Sequence, residues 1–408
     1  MSRSGGPPGL RDRSTRGQVP SPSCAGPSRV PVEAGWRPRR ESARGADDND
    51  SVPAPLDAAS LRRAPKVLLH DHLDGGLRPQ TVLELADDCG YRDLPTDDAD
   101  ELGRWFQAAA DSGSLERYLE TFAHTVAVMQ RSDAVRRVAR ECALDLAADG
   151  VVYAEIRMAP ELLTAMPMDA AVEAMLDGYA QGAREAAEAG TPITVGTLLC
   201  AMRQNDRWDE VAELVVRHRD GGVVGFDLAG PEDGFPPDRH PSAIALLDRT
   251  GAHRTVHAGE AAGIDSIVAA LDGARAERLG HGVRIADQVA ADGSLGPVAE
   301  RVRDEQVTLE VAPSSNVQTG AYPSLAEHPV GRLHRLGFAV TVNTDNRLMS
   351  GVSVTSELAD VVATCGWDWD DVQAVAERAL AAAFVDETER ARLLADVVRP
   401  GYAALRQG

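Results

Sequence analysis

From Leu61 onward, short apolar, β-branched runs alternate with Ala-, Leu-, Glu- and Arg-rich stretches, and this alternation constrains the fold more than any other feature of the chain. Eight runs read as strands: Lys66–His70, Val151–Met158, Ile193–Cys200, Val223–Leu228, Arg254–His257, Arg278–His281, Val307–Val311 and Phe338–Asn343. Several are apolar on both faces, the pattern of parallel strands covered by helices on either side. The stretches between them carry helix punctuation. Pro79–Cys89 has Pro in its first turn and Gly90 just past its end. Met168–Ala189 stops before Gly190, and Trp208–Arg219 stops before Gly221. Eight strand–helix units predict one (β/α)8 barrel domain over residues 61–408. A doubly wound sheet is the alternative, but no GxGxxG follows the first strand.

Residues 1–60 read differently. They hold nine Pro, seven Gly and nine Ser and show no hydrophobic period, which predicts a disordered extension. They also lack the apolar core of a secretory signal. Five scattered cysteines without a CxxC suit reduced thiols in the cytoplasm. The net charge of −21 gives no pull toward phosphate backbones or anionic bilayers, so neither a nucleic acid nor a membrane is an expected partner. No run reaches the roughly 18 apolar residues of a membrane span. The oligomeric state is not legible.

Between the first two strands lie Leu102, Trp105 and Phe106, then Leu115, Tyr118, Leu119 and Phe122, at helical spacing. Two readings stand: extra helices packed into the core, or an apolar lid over the loop after the first strand.

Polar residues cluster where the strands end, the rim on which barrel enzymes place their sites. HDHLDG ends the first strand. His70 and His72 are two apart, so on a strand both imidazoles face one side and can share an ion. Asp74 follows. HAGE carries His257 and Glu260, RLGHG carries His281, and NTDN carries Asp345 and Asn346. DLAG brings Gly230, and APSSN brings Ser314, Ser315 and Asn316. Each motif alone is weak; four histidines and two acids on one rim are not. His124, His218, His240, His253, His328 and His334 fall outside the pattern and read as structural or surface residues. Three imidazoles, one carboxylate and an open position for water describe a catalytic zinc site, and iron, cobalt or manganese could fit similar ligands. Lys66, the only lysine, starts the first strand, so no carboxylated lysine can bridge two metals at the rim and a mononuclear site is expected unless a carboxylate bridges instead.

HDHLDG, DLAG, HAGE, RLGHG, APSSN and NTDN, in this order over residues 66–350, resemble the adenosine deaminase family of metal-dependent hydrolases. SLERYLETFAHTVAVMQ, residues 114–130, is similar to the helical segment that family carries after its first strand. The resemblance implies hydrolysis of adenosine and 2′-deoxyadenosine to the inosines. It implies one Zn²⁺ per chain on His70, His72, His257 and Asp345, and catalysis by Glu260, His281 and Asp345. Glu260 would protonate purine N1, while His281 and Asp345 would orient and deprotonate the attacking water. In the same way Asp74 would meet a ribose hydroxyl, Gly230 purine N3, and His72 and Asn346 the substrate. Asn346 stands where the family often has a second Asp; its amide can donate to N7 without first gaining a proton. HLDG points to nucleosides, whereas adenine deaminases tend to show HLEG, and no phosphate clamp for AMP is visible. Adenine or a modified adenine nucleoside is the alternative substrate. A barrel kept only for binding is the rival outside catalysis.

Overall fold

The computed structural model describes residues 56–407. Its eight strands are β1 (Lys66–His72), β2 (Val151–Met158), β3 (Thr194–Met202), β4 (Val223–Ala229), β5 (Thr255–Ala258), β6 (Arg278–His281), β7 (Thr308–Val311) and β8 (Val340–Val342). They pair in chain order as two parallel arcs, β1-β2-β3-β4 and β5-β6-β7-β8. Backbone bonds join the arcs at both seams. Phe226 of β4 takes up the His253 carbonyl at 2.9 Å, beside an isolated bridge to Arg254. Across the other seam His72 N–H donates to Asp345 at 2.7 Å, and Asp345 N–H to His70 at 2.9 Å. Helices surround the strands, giving the expected (β/α)8 barrel.

Strand ends differ from the sequence reading by one or two residues, for local reasons. β1 runs on to His72 because Asp345 and β2 supply partners there. β8 ends at Val342, and just past it Asn343 keeps its N–H on Val311 O at 2.8 Å while its Oδ1 accepts Leu69 N–H of β1 at 3.0 Å. Ordered structure is described from just before the expected domain start at residue 61. Helix α1 spans Ala58–Arg63, started by a capping box between Asp57 and Ser60, and Ser60 and Leu61 are buried. Residues 1–55, with most of the expected extension, lie outside the described residues.

The β1–β2 connection carries five helices: α2 (Pro79–Cys89), α3 (Ala99–Ala110), α4 (Leu115–Glu120), α5 (Phe122–Val128) and α6 (Ser132–Ala148). Both readings of this segment hold, on different helices. Leu102 and Phe106 of α3 are fully buried core, whereas Leu115, Tyr118, Leu119 and Phe122 wall a cavity at the barrel mouth.

The barrel interior is unusually charged. Glu155, Arg157, Asp227, Arg278 and Glu310 are buried to 2% exposure or less. Each charge is paired, as burial requires: Arg157 with Asp227 and Glu310, Arg278 with Glu155 and Glu310. Lys66 lies at the far end of β1, where Nζ donates to the carbonyls of Leu61, Arg62 and Ala64 and so caps α1. No helix among the described residues is long and apolar enough to cross a membrane.

Candidate metal centre and active site

One ligand atom from each of His70, His72, His257 and Asp345 lies within 4.8 Å of the others. His70 and His72 come from the end of β1 and His257 from β5. Asp345 sits in the turn after β8 that crosses back to β1. His72 Nε2 and His257 Nε2 are 3.2 Å apart. Asp345 Oδ1 is 3.2 Å from His70 Nε2 and 3.4 Å from His72 Nε2. His70 Nε2 is buried and makes no hydrogen bond. Four convergent N and O donors, one of them a buried orphan, fit a divalent cation.

A second ring of side chains sets the first. Glu310 Oε2 lies 3.0 Å from His70 Nδ1, and Asp227 Oδ1 lies 3.2 Å from His257 Nδ1. Each carboxylate accepts a hydrogen bond from Nδ1–H, which leaves Nε2 with a free lone pair. Arg157 clamps both carboxylates, 3.0 Å from Asp227 Oδ2 and 2.8 Å from Glu310 Oε2. Ser315 Oγ donates to Asp345 Oδ2 at 2.6 Å, which leaves Oδ1 facing the cluster. Burial first, then Arg157, pushes the His70 imidazole down to about 4, the neutral form a ligand needs. Burial would raise Asp345, but the adjoining His70 imidazole, then His281 and His72, hold it well below the carboxylate range. Gly280 gives the two imidazoles room, since a Cβ there would stand 3.0 Å from His257 Cα and 3.1 Å from His70 Cε1.

Glu260 and His281 lie alongside, Oε2 to Nε2 at 3.5 Å. Thr319 Oγ1 reaches Glu260 Oε1 at 3.0 Å, and Asn316 Nδ2 donates to His281 Nδ1 at 3.0 Å. Burial raises the pKa of Glu260 and Asp345 adds to it, against His281 and His257. His281 and Asp345 both hold left-handed backbone, φ 61° and 56°, unusual for residues other than glycine and concentrated at functional sites.

Of the nine residues to which the resemblance gives a site role, eight line one cavity of about 350 Å³: His72, Asp74, Gly230, His257, Glu260, His281, Asp345 and Asn346. His70 lies beneath its floor, fully buried. Asp74 Oδ1 is buried without a partner, and burial raises its carboxyl to about 7. Asn346 precedes the short helix Arg347–Ser350 but does not cap it with its side chain, and its Oδ1 is also a buried orphan. Gly230 turns at φ 97°, where a Cβ would come within 2.6 Å of Gln204 Oε1. The opposite wall is apolar: Leu115, Tyr118, Leu119, Phe122, Leu162 and Met202.

Arg157, Asp227, Glu310 and Thr319 were not singled out from the sequence. A signal was there for three of them, a charged residue inside an otherwise apolar strand. The remaining histidines lie elsewhere: His253 pairs with Glu277, His218 with Asp169 and His334 with Asp371. His124 meets Tyr91, and His240 packs on Trp208. His328 is buried one step behind the site, its Nε2 3.3 Å from Asn316 Oδ1.

Known proteins match this chain along most of its length. An adenosine deaminase from Streptomyces coelicolor is 57% identical over 352 residues, which cover 85% of this chain and 89% of that one. One from Mycolicibacterium gilvum is 54% identical over 357 residues, covering 86% and 99%. Among solved structures, an adenine deaminase from Arthrobacter aurescens superposes with a TM-score of 0.72 at 25% identity, covering 85% of this chain and all of that one. The adenosine deaminase family model matches residues 65–400, the whole barrel with its rim of donors, and the chain belongs to that family.

Proposed function

We propose that the protein hydrolyses adenosine and 2′-deoxyadenosine to inosine and 2′-deoxyinosine with release of ammonia, using one Zn²⁺ held by His70, His72, His257 and Asp345. The observation that carries this is the joint placement of that donor cluster and of Glu260, His281, Asp74 and Asn346 around one cavity. Three imidazoles and a carboxylate suit zinc better than magnesium or calcium, which prefer oxygen. When bound, such an ion would lower the pKa of water toward neutrality and so supply the nucleophile.

The side chains do the rest. Addition to C6 breaks the aromatic ring and drives negative charge onto N1. Glu260, whose pKa is raised by burial, gives N1 its proton and offsets that charge. Because Asn316 donates to His281 Nδ1, a neutral His281 carries its proton on Nε2 and orients the water as a donor. Asp345 would take one proton from the water and return it to the departing amine, and the proton of the C6 hydroxyl would pass to Glu260 as the carbonyl forms, restoring the acid. Asp74 Oδ1 accepts from a ribose hydroxyl, Gly230 N–H meets N3, and the Asn346 amide donates to N7.

The charge of the cavity selects among substrates. Among the described residues its wall carries no Arg or Lys, so nothing there would pair with a 5′-phosphate. Free adenine would leave the buried Asp74 oxygen unpaired. The free thiols Cys89, Cys142, Cys200 and Cys365 suit a reducing cytoplasm.

The test is a kinetic panel on metal-analysed protein. Both nucleosides should be deaminated, with adenine far poorer and AMP inert. Absence of ammonia from adenosine at micromolar metal-loaded protein would overturn the assignment. Adenine exceeding adenosine in kcat/KM would transfer it to the free base.

A further inference from the structure

Glu232 lies in the loop after β4, outside the substrate cavity, with 5% exposure. Its carboxylate accepts five hydrogen bonds, all from the segment that follows His257. Oε1 takes Gly259 N–H at 2.6 Å and Ser266 Oγ–H at 2.5 Å. Oε2 takes the N–H groups of Glu260 at 3.1 Å, Ala261 at 2.8 Å and Ala262 at 2.9 Å. Four successive amides turned onto one carboxylate fix the path of the chain between Ala258 and Ala262, and with it the Cα–Cβ direction of Glu260. The other face of the same turn is gripped by the opposite charge. Arg203, fully buried in the loop after β3, donates through Nη2 to the His257 carbonyl and through Nη1 to Phe235 O at 2.7 Å. Burial alone would raise the Glu232 carboxyl. Ser266, the Ala262 and Gly259 amides and Arg203 outweigh it and keep Glu232 ionised.

The barrel wall is already completed by the β5–β6 ladder, which pairs His257 with Gly280 and Ala258 with His281. What the cage adds is a rigid seat for the four residues beyond it, and only one of them carries a functional side chain. We infer that Glu232 is a positioning residue that holds Glu260 at the purine N1 position through the backbone of Gly259–Ala262. The inference rests on the reading of Glu260 as the proton donor to the base. A reacting group displaced by about 1 Å loses on the order of 10²-fold in rate, so a loosened turn should act on turnover and not on binding.

Glu232→Gln is the test, because it keeps the shape and replaces one acceptor oxygen with a donor that faces amide N–H groups. On metal-analysed full-length protein, kcat for adenosine should fall about 10–100-fold while KM stays within about threefold and metal content per chain is unchanged. Glu232→Asp, which keeps the charge, should recover part of that loss. Unchanged kcat in Glu232→Gln overturns the inference. So does a loss that follows metal content, with turnover per bound metal preserved, because that would mark a structural role only. If Glu232→Gln does not accumulate as folded protein, Ser266→Ala removes one of the five donors. A fall of about 3–10-fold in kcat per metal at constant KM then supports positioning, and no fall overturns it. Glu260→Gln, measured alongside, separates the two ideas. An active Glu260→Gln removes the reading of Glu260, whereas an inactive Glu260→Gln beside a fully active Glu232→Gln removes only the role of Glu232.

Discussion

Asp74 shows how much one side chain can decide. Its Oδ1 is buried at the cavity wall with no partner among the described residues, and its carboxyl is lifted to about 7. A buried acceptor left unpaired is costly, so a ligand hydroxyl there gains affinity by satisfying it. Asp74→Ala should lower kcat/KM for adenosine by about 10–100-fold while leaving that for adenine within about threefold. Equal losses on both substrates would show that Asp74 does not read the sugar. Identity and place of Asp74 were legible in HDHLDG; its orphaned oxygen was not, because desolvation depends on what the lid helices cover. The same holds for His281 and Asp345. Their motifs named them, but the left-handed φ of each emerges only from the turn that aims them at the cavity.

At the level of elements, strand tips supply the donors and neighbouring strands orient them. β7 sends Glu310 to His70 of β1, β4 sends Asp227 to His257 of β5, and Arg157 of β2 ties the two carboxylates together. Removing Arg157 would strand two buried charges and threaten the fold itself. Glu310→Gln is the cleaner probe. It should weaken metal affinity about 10–100-fold, read by competition with a chromogenic chelator, since the His70 tautomer is no longer enforced. An affinity within twofold of the parent would show that Glu310 serves only the barrel core. Strand order and helix punctuation could be read from apolar runs and from Pro and Gly. The choice between lid and core for residues 102–122 could not, because both present the same helical period. The structure divides it between α3, which packs inward, and α4–α5, which face the cavity.

For the whole molecule, the concentration of buried acids makes stability depend on pH. Glu357, fully buried, accepts from Ser314 N–H at 3.0 Å and Ser314 Oγ at 2.7 Å, and burial raises its carboxyl to about 7. A raised acid favours the fold while protonated. Its contribution is complete below the unfolded value near 4.5 and is lost as pH rises through about 7. Glu357→Gln keeps both contacts with Ser314 and cannot ionise. Its stability relative to the parent should therefore improve from pH 5 to pH 8 by on the order of 2 kcal/mol, seen as a few degrees in Tm. A pH-independent difference would show that Glu357 stays neutral or is solvated.

The amino-acid sequence by itself determined the eight strands, their parallel order and the residues at their tips, because each follows from local rules: period, punctuation and the alternation of side chains along a strand. Only the tertiary structure decided which of those tips meet around one point, which carboxylates hold His70 and His257, and how Glu232 and Arg203 seat Glu260. Those relations join residues far apart in the chain, and closure of the barrel and burial, which no local pattern encodes, set their distances and charge states.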